Sequence, residues 1–210
     1  MKSEDHDSRE DNVLAGIHHA VMNPLTVVVG YAQLLASRTD LDEEAQGQVK
    51  RILEQAHECV RIVDEMTTGD APKEKEVIGR TTRESGESDK QRSILVVDDE
   101  PVILKLAVEV LRTDYDVVGC HSADEAQRRL LTQDFDLVLL DLNLEGEVGG
   151  RVLFETLKLH QPDMAEKVLF MSGGTADSDD QDFMDRSGKE CLSKPFDIRN
   201  LRDTVARSIA

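Results

Sequence analysis

The hydrophobic and polar positions divide the chain into four segments. Residues 13–68 carry apolar side chains at alternating spacings of three and four, the pattern of amphipathic helices. Residues 93–210 instead alternate short apolar runs with amphipathic stretches, which is typical of strands that alternate with helices. Residues 1–12 and 69–92 contain few apolar side chains, and these segments are predicted to be a disordered tail and a flexible linker.

The segment 13–68 is predicted to form a hairpin of two helices. Asn12 is a candidate N-cap for the first helix, and the polar stretch 37–40 separates it from the second. Because a single hairpin buries little apolar surface, we expect two hairpins to pair into the four-helix bundle of a homodimer. The apolar or small residues that follow a heptad pattern, and are predicted to face inward, are Leu14, Ile17, Val21, Pro24, Val28, Tyr31 and Leu35 in the first helix and Ala45, Val49, Ile52, Ala56, Cys59, Val63 and Met66 in the second.

The segment 93–210 is predicted to be an α/β domain with a doubly wound parallel sheet. The stretch 135–140 is apolar almost throughout, as expected for a strand that helices cover on both faces. Five strands and five helices alternate along this segment. The predicted strands are 93–97, 116–120, 135–140, 167–171 and a short one around Cys191, and the predicted helices are 101–111, 123–131, 152–159, 178–185 and 198–209.

Polar side chains that suit phosphoryl chemistry follow the predicted strands. Asp98 and Asp99 come directly after the first strand, and Asp141 comes after the third. Ser172 and Lys194 follow the fourth and fifth strands, so a hydroxyl and an amine join the carboxylates at one edge of the sheet. Clustered carboxylates require a cation, and oxygen ligands without Cys or His favour Mg²⁺. Each acid alone would be an ordinary loop residue of an acidic protein, but the joint pattern favours a site for a phosphoryl group.

Four ordered motifs, ILVVDDEP, DLVLLD, MSG and SKPF, resemble those of a response-regulator receiver domain over about residues 92–210. The resemblance implies a flavodoxin-like (βα)5 fold with Asp141 as the phosphoacceptor. The other implied roles are Mg²⁺ binding by Asp98 and Asp99 with Asp141 and the backbone carbonyl of Asn143, a switch hydroxyl on Ser172, and a phosphate contact from Lys194. Cys191 departs from the family, which usually has Tyr or Phe three residues before the lysine, so the usual aromatic switch is not implied here.

A second motif lies in the first predicted helix, around His19. His19 and the following Asn23-Pro24 resemble the H-box of a histidine-kinase dimerisation and phosphotransfer domain, over about residues 10–68. The resemblance implies that His19, rather than His18, is the phosphoacceptor. Asn23, expected beside His19 on a solvent-facing side of the helix, matches the position that orients water in family phosphatases. Ala20 replaces the acid that serves as a base during autophosphorylation, so autokinase chemistry is not expected.

Charge and composition narrow the possible partners. The chain has 43 acidic and 25 basic residues and a formal net charge of −18, so direct binding to nucleic acid or to an anionic membrane surface is not expected. The sequence shows no apolar run long enough to span a membrane and no signal-peptide pattern, which predicts a cytoplasmic protein. Residues 69–92 leave too little room for the ATP-binding domain of a kinase, so an autonomous kinase is not expected.

These features together predict two-component phosphorelay signalling. Asp141 would accept a phosphoryl group from a sensor histidine kinase, a phosphotransfer protein or a small phosphodonor, and would exchange it with His19. A flexible linker of this length spans about 25–30 Å, so contact between the two segments is feasible. In the alternative hypothesis, the hairpin is only a dimerisation and docking module, His19 is an inert surface residue, and the receiver acts by protein binding.

Overall fold

The computed structural model describes residues 4–68, 91–144, 148–173 and 178–210. The predicted linker therefore lies almost entirely outside the described residues. The elements in chain order are α1 (Glu4–Ala36), α2 (Glu43–Thr68), β1 (Ser93–Val97), α3 (Pro101–Leu111), β2 (Asp116–Cys120), α4 (Ala123–Leu130), β3 (Leu137–Asp141), α5 (Gly150–His160), α6 (Pro162–Ala165), β4 (Val168–Ser172), α7 (Ser178–Ser187), β5 (Cys191–Ser193) and α8 (Ile198–Ile209).

The helical hairpin is confirmed, with α1 and α2 packed against each other. Its first helix is longer than predicted, because α1 begins at Glu4 and includes residues 4–12 of the expected disordered tail. This stretch contains no Gly or Pro, and acidic residues near a helix N-terminus are favourable for the helix dipole. The second helix is preceded by Asp42, whose Oδ1 accepts a hydrogen bond from the backbone N–H of Ala45 at 2.7 Å.

The predicted inward-facing positions divide between two faces of the hairpin. In α2, Val49 and Ala56 are buried, whereas Ile52 and Met66 are 47% and 74% exposed. In α1, the predicted position Val28 is 44% exposed in the protomer, while its neighbour Val29 and residues Met22 and Ala32, which the heptad pattern did not include, are buried. A helix that contacts different partners on different sides carries overlapping apolar stripes, and a single heptad cannot separate them.

The second segment is a parallel five-stranded sheet with helices on both faces, as predicted. The strand order is β2-β1-β3-β4-β5, and all four pairings are parallel. One face of the sheet packs against α3 and α8, and the other packs against α4, α5 and α7. This order places β1 and β3 side by side at the centre, so their carboxyl ends lie next to each other.

The hairpin packs directly on the receiver-like segment. Val27, Tyr31 and Leu34 of α1 contact the apolar cluster that α3, α8 and one face of the sheet form. A stripe of partly buried apolar residues on α1 therefore extends the apolar cluster on this face of the sheet. Within the described part of the chain, no helix combines the length and the apolar character that crossing a membrane requires.

Candidate functional site

An acidic cluster lies at the carboxyl ends of the two central strands. Asp98 and Asp99 follow β1, and Asp141 is the last residue of β3. Each of the three offers a carboxylate oxygen, and these oxygens all lie within 4.8 Å of one another. Asp98 and Asp141 are completely buried, and Asp99 is partly buried. The sequence-based prediction that these three acids converge is therefore correct.

Lys194 links two of these carboxylates. Its Nζ donates to Asp98 Oδ2 at 2.7 Å and to Asp141 Oδ2 at 2.8 Å, and the side chain is buried. The lysine lies between β5 and α8, where its backbone N–H donates to the carbonyl of Ser172 at 2.6 Å. The Lys194–Pro195 peptide bond is cis. Ser172 ends β4 and is partly buried, so the predicted hydroxyl and amine occupy neighbouring strand ends.

Backbone groups hold the remaining oxygens of the two buried carboxylates. Asp98 Oδ1 accepts a hydrogen bond from the N–H of Glu100 at 2.9 Å, and Asp141 Oδ1 accepts one from the N–H of Asn143 at 3.1 Å. These contacts fix both carboxyl planes. Asn143 lies in the loop after β3, next to Asp141, as the ligand set implied by the receiver resemblance requires.

Burial and charge together define the electrostatics of the pocket. Burial raises the pKa of Asp98 to about 7, with Asp141 adding to the rise and Lys194 opposing it. For Lys194, burial acts to lower the pKa, but the attraction of Asp141 and Asp98 outweighs burial and the pKa is raised. The lysine is thus held in its charged form. Because one ammonium faces three carboxylates, the pocket suits a further hard cation, and the donor set fits Mg²⁺.

Gly150 is a site residue that the sequence analysis missed. A Cβ on Gly150 would lie 2.1 Å from the backbone carbonyl oxygen of Asp141. The N-terminus of α5 can therefore approach the backbone of β3 only because residue 150 has no side chain. The signal in the sequence is the pair Gly149-Gly150 directly before an amphipathic stretch.

The hairpin contributes Asn23 to the edge of this site. Asn23 is 2% exposed, and its Nδ2 donates to Glu100 Oε1 at 3.2 Å. Glu100 follows Asp99 and also binds Asp98 through its backbone N–H. The expectation that the helix face around Asn23 points to solvent is wrong, because the receiver-like segment covers that face.

The two histidines of the second motif are described to different extents. His18 is completely buried, and its Nε2 lies 3.1 Å from Asp64 Oδ1 of α2. His18 is thus held inside the hairpin. His19 lies within α1, one helical turn before Asn23, but its side chain is outside the described residues. The preference for His19 over His18 therefore stays a prediction.

Cys191 begins β5, is partly buried and packs against the apolar cluster formed with α4, α5 and α7.

Comparison with known proteins finds two families in this chain. Residues 94–206, slightly more than half of the chain, match the response regulator receiver domain, and residues 9–69 match the His kinase A (phospho-acceptor) domain. Among solved structures, a CheY-like receiver domain protein from Methanospirillum hungatei has 25% sequence identity and a TM-score of 0.52. That alignment covers 57% of this chain and 94% of the other.

Two curated relatives show where such domains occur. The alginate biosynthesis transcriptional regulatory protein AlgB of Pseudomonas aeruginosa is 33% identical over 123 residues, which are 58% of this chain and 27% of AlgB. The sensor histidine kinase RcsC of Salmonella typhi is 27% identical over 127 residues, which are 60% of this chain and 13% of RcsC. The chain thus spans less than a third of either relative. The two matched domains are parts of two-component signalling systems, and the chain belongs to the response regulator receiver family through residues 94–206, with a His kinase A hairpin before them.

Proposed function

We propose that Asp141 accepts a phosphoryl group in a two-component relay and that His19 exchanges this group with Asp141. The observation that carries the proposal is the buried contact of Lys194 with both Asp98 and Asp141. An isolated carboxylate is a weak nucleophile, and a transferred phosphoryl group brings several negative charges. A charged lysine within 2.8 Å of Asp141 offsets that charge, and burial of both side chains strengthens the attraction.

The transfer step follows from the groups present. A carboxylate oxygen of Asp141 attacks phosphorus, and an acyl phosphate bond forms while the phosphorus–nitrogen bond of a phosphohistidine breaks. The imidazole nitrogen leaves with the bonding electron pair and regains a proton from water. The reverse step returns the phosphoryl group to a histidine. The donor is the phosphohistidine of a sensor kinase or phosphotransfer protein, or a small acyl phosphate.

Asp98, Asp99 and Asp141, with the backbone carbonyl of Asn143, are the residues that would hold Mg²⁺. When bound, Mg²⁺ supplies positive charge to the transferring phosphoryl oxygens. The chain's own residues supply the nucleophile through Asp141, charge through Lys194 and a hydroxyl through Ser172. The convergence of three carboxylates within 4.8 Å supports this assignment.

The contact between Asn23 and Glu100 supports His19 as the exchanging histidine. It joins the helical turn that follows His19 to the loop that carries Asp98 and Asp99. His18 is buried against Asp64 and lacks such access. In the competing hypothesis, the hairpin only docks the receiver and His19 is inert. The packing of α1 on the receiver fits both hypotheses, so the chemistry of His19 decides between them.

The His19→Gln variant tests the relay. With Mg²⁺ and acetyl phosphate, we expect the wild type to carry phosphate on both Asp141 and His19, whereas His19→Gln carries it on Asp141 alone. The phosphate on His19 is acid-labile and base-stable, and intact mass after acid or base treatment measures it. His57→Gln, which changes an exposed histidine of α2, is the matched control and should behave as the wild type. Phosphate confined to Asp141 in the wild type would contradict the relay and favour the docking hypothesis.

The exposed apolar residues of the hairpin support homodimerisation. Ile52, Cys59 and Met66 of α2 lie seven residues apart and are exposed, and Val28 and Leu35 of α1 repeat the same interval. Such a stripe is the heptad seam that a second hairpin covers in a four-helix bundle. We infer that two copies of the chain pair through these residues.

The Ile52→Glu variant is expected to shift the dimer to monomer at micromolar concentration. A carboxylate at the centre of the seam would lose its hydration without a partner, and this loss costs several kcal/mol. Sedimentation equilibrium measures the change in mass. Leu159→Glu, which alters an exposed leucine of α5 in the receiver, is the control and should leave the mass unchanged. A wild-type chain that is monomeric at high concentration would refute the pairing.

A further inference from the structure

One stripe of α1 contacts the receiver along its length. Val27, Tyr31 and Leu34 pack against the apolar cluster of α3, α8 and the sheet. Gly30 lies in the same stripe, where a Cβ would be 2.2 Å from Leu106 Cδ2 of α3. Leu106 is completely buried, so its side chain has little room to move away. The missing side chain of Gly30 therefore sets how closely α1 approaches the receiver.

Gln33 of the same stripe binds the start of α8 through both atoms of its amide. Its Oε1 accepts a hydrogen bond from the backbone N–H of Ile198 at 2.8 Å, and its Nε2 donates to Asp197 Oδ2 at 2.6 Å. Asp197 is the N-cap of α8, and its Oδ1 accepts from the N–H of Arg199 at 2.6 Å. Gln33, a residue of the hairpin, thus completes the cap of α8, a helix of the receiver.

The N-cap residue Asp197 lies only three positions after Lys194. Between them, Phe196 is completely buried in the apolar cluster, so the short loop from β5 to α8 has little freedom. At its other end, the N–H of Lys194 is bound to the carbonyl of Ser172. The loop that aims the ammonium at Asp98 and Asp141 is therefore held by the receiver at one end and by the hairpin at the other.

We propose that Gln33 is a positioning residue for phosphorylation of Asp141: it anchors the loop between β5 and α8, and through it Lys194, only while the hairpin is docked on the receiver. This inference rests on the proposed role of Asp141 as phosphoacceptor. It gives the hairpin a function in receiver chemistry that does not depend on His19. Docking of α1 then becomes a means of setting the reactivity of the receiver.

The test measures the initial rate of Asp141 phosphorylation by acetyl phosphate and Mg²⁺ in the full chain. Gln33→Ala removes both hydrogen bonds and should slow the reaction about fivefold. This factor is that of about one hydrogen bond, because the two bonds act on Lys194 only through the loop. Gln46→Ala removes an amide that binds the carbonyl of Leu41 within the hairpin, so it should leave the rate unchanged. An equal or higher rate in Gln33→Ala would overturn the proposal.

A charge-swapped pair separates positioning from a merely structural role. Gln33→Glu places two carboxylates against each other and should slow phosphorylation at least as much as Gln33→Ala. Combining it with Asp197→Asn reverses the donor and acceptor, keeps the hydrogen bond to Ile198 and retains an N-cap residue. The double variant should recover the wild-type rate to within about twofold. A double variant as slow as Gln33→Glu would count against the proposal.

Hydrogen exchange measures whether α1 is docked, and phosphate uptake by the wild type measures whether the proposed function holds. Gly30→Leu should undock α1, speed exchange of the Ile198 amide and slow phosphorylation as Gln33→Ala does. Gly47→Leu is its control, because a Cβ on Gly47 of α2 meets no atom within 4 Å. If the wild type takes up no phosphate on Asp141, the proposed function fails. If it takes up phosphate at the same rate as Gln33→Ala and Gly30→Leu, only the positioning role fails.

Discussion

The Asp141→Asn variant is expected to take up no phosphate from acetyl phosphate and Mg²⁺. The rate of uptake should fall by about a hundredfold or more, as is usual when an enzyme loses its nucleophile. Asparagine has nearly the same shape but offers no nucleophilic carboxylate. The amide oxygen of asparagine can still accept the hydrogen bond that Lys194 donates to Asp141, so the fold should persist. Intact mass measured over the time course reports the uptake, and the relay proposal predicts that phosphate on His19 disappears as well.

The control for this variant is Asp163→Asn, which changes an exposed carboxylate at the start of α6. It should be phosphorylated at the wild-type rate. Full uptake by Asp141→Asn would show that another residue is the acceptor. Circular dichroism of both variants shows whether a loss of the fold causes the loss of phosphate uptake.

The Lys194→Met variant is expected to be the most destabilised of the variants considered. Methionine fills a similar volume but leaves Asp98 and Asp141 buried beside each other without the ammonium. Breaking a buried ion pair by removing one partner typically costs about 3–5 kcal/mol of the free energy of unfolding. Because the three carboxylates are then less neutralised, added Mg²⁺ should restore more stability to the variant than to the wild type.

Urea unfolding followed by circular dichroism, with and without Mg²⁺, measures both effects. Lys189→Met is the matched control, since Lys189 also pairs with an acid, Glu166, at 2.6 Å, but Glu166 is largely exposed. Because the carboxylate of Glu166 lies largely in solvent, this pair should contribute only about 1 kcal/mol. Equal destabilisation by the two substitutions would contradict the buried role assigned to Lys194.

The sequence was sufficient to predict the receiver because its signals are local and redundant. Each strand is a short apolar run, and the functional groups lie at strand ends or directly after them, so correct strand assignment also brought Asp98, Asp141 and Lys194 together. The four-residue helix α6 was missed because Pro162 and its neighbours give too few positions for a helical period.

The hairpin was harder to predict because three surfaces compete for its residues. Val29 and Ala32 are buried in the protomer, Val28 and Leu35 are exposed, and Tyr31 contacts the receiver. A heptad read from the sequence merges these faces into one. The roles of Gly30 and Gln33 depend on contacts with residues 76 and 164 or more positions away, which no local pattern contains.

The contact of Gln33 with α8 affects how well a free protein can compete with the hairpin for the receiver, because the hairpin and the receiver belong to one chain. A tether turns their encounter into an intramolecular event with an effective concentration in about the millimolar range. A few hydrogen bonds and a narrow apolar stripe then suffice to keep the receiver docked, even if the separated parts would bind weakly. A free protein present at micromolar concentration must bind the same surface of the receiver about a thousandfold more tightly to replace the hairpin. The tether thereby favours the hairpin over any free protein that binds this surface of the receiver only weakly.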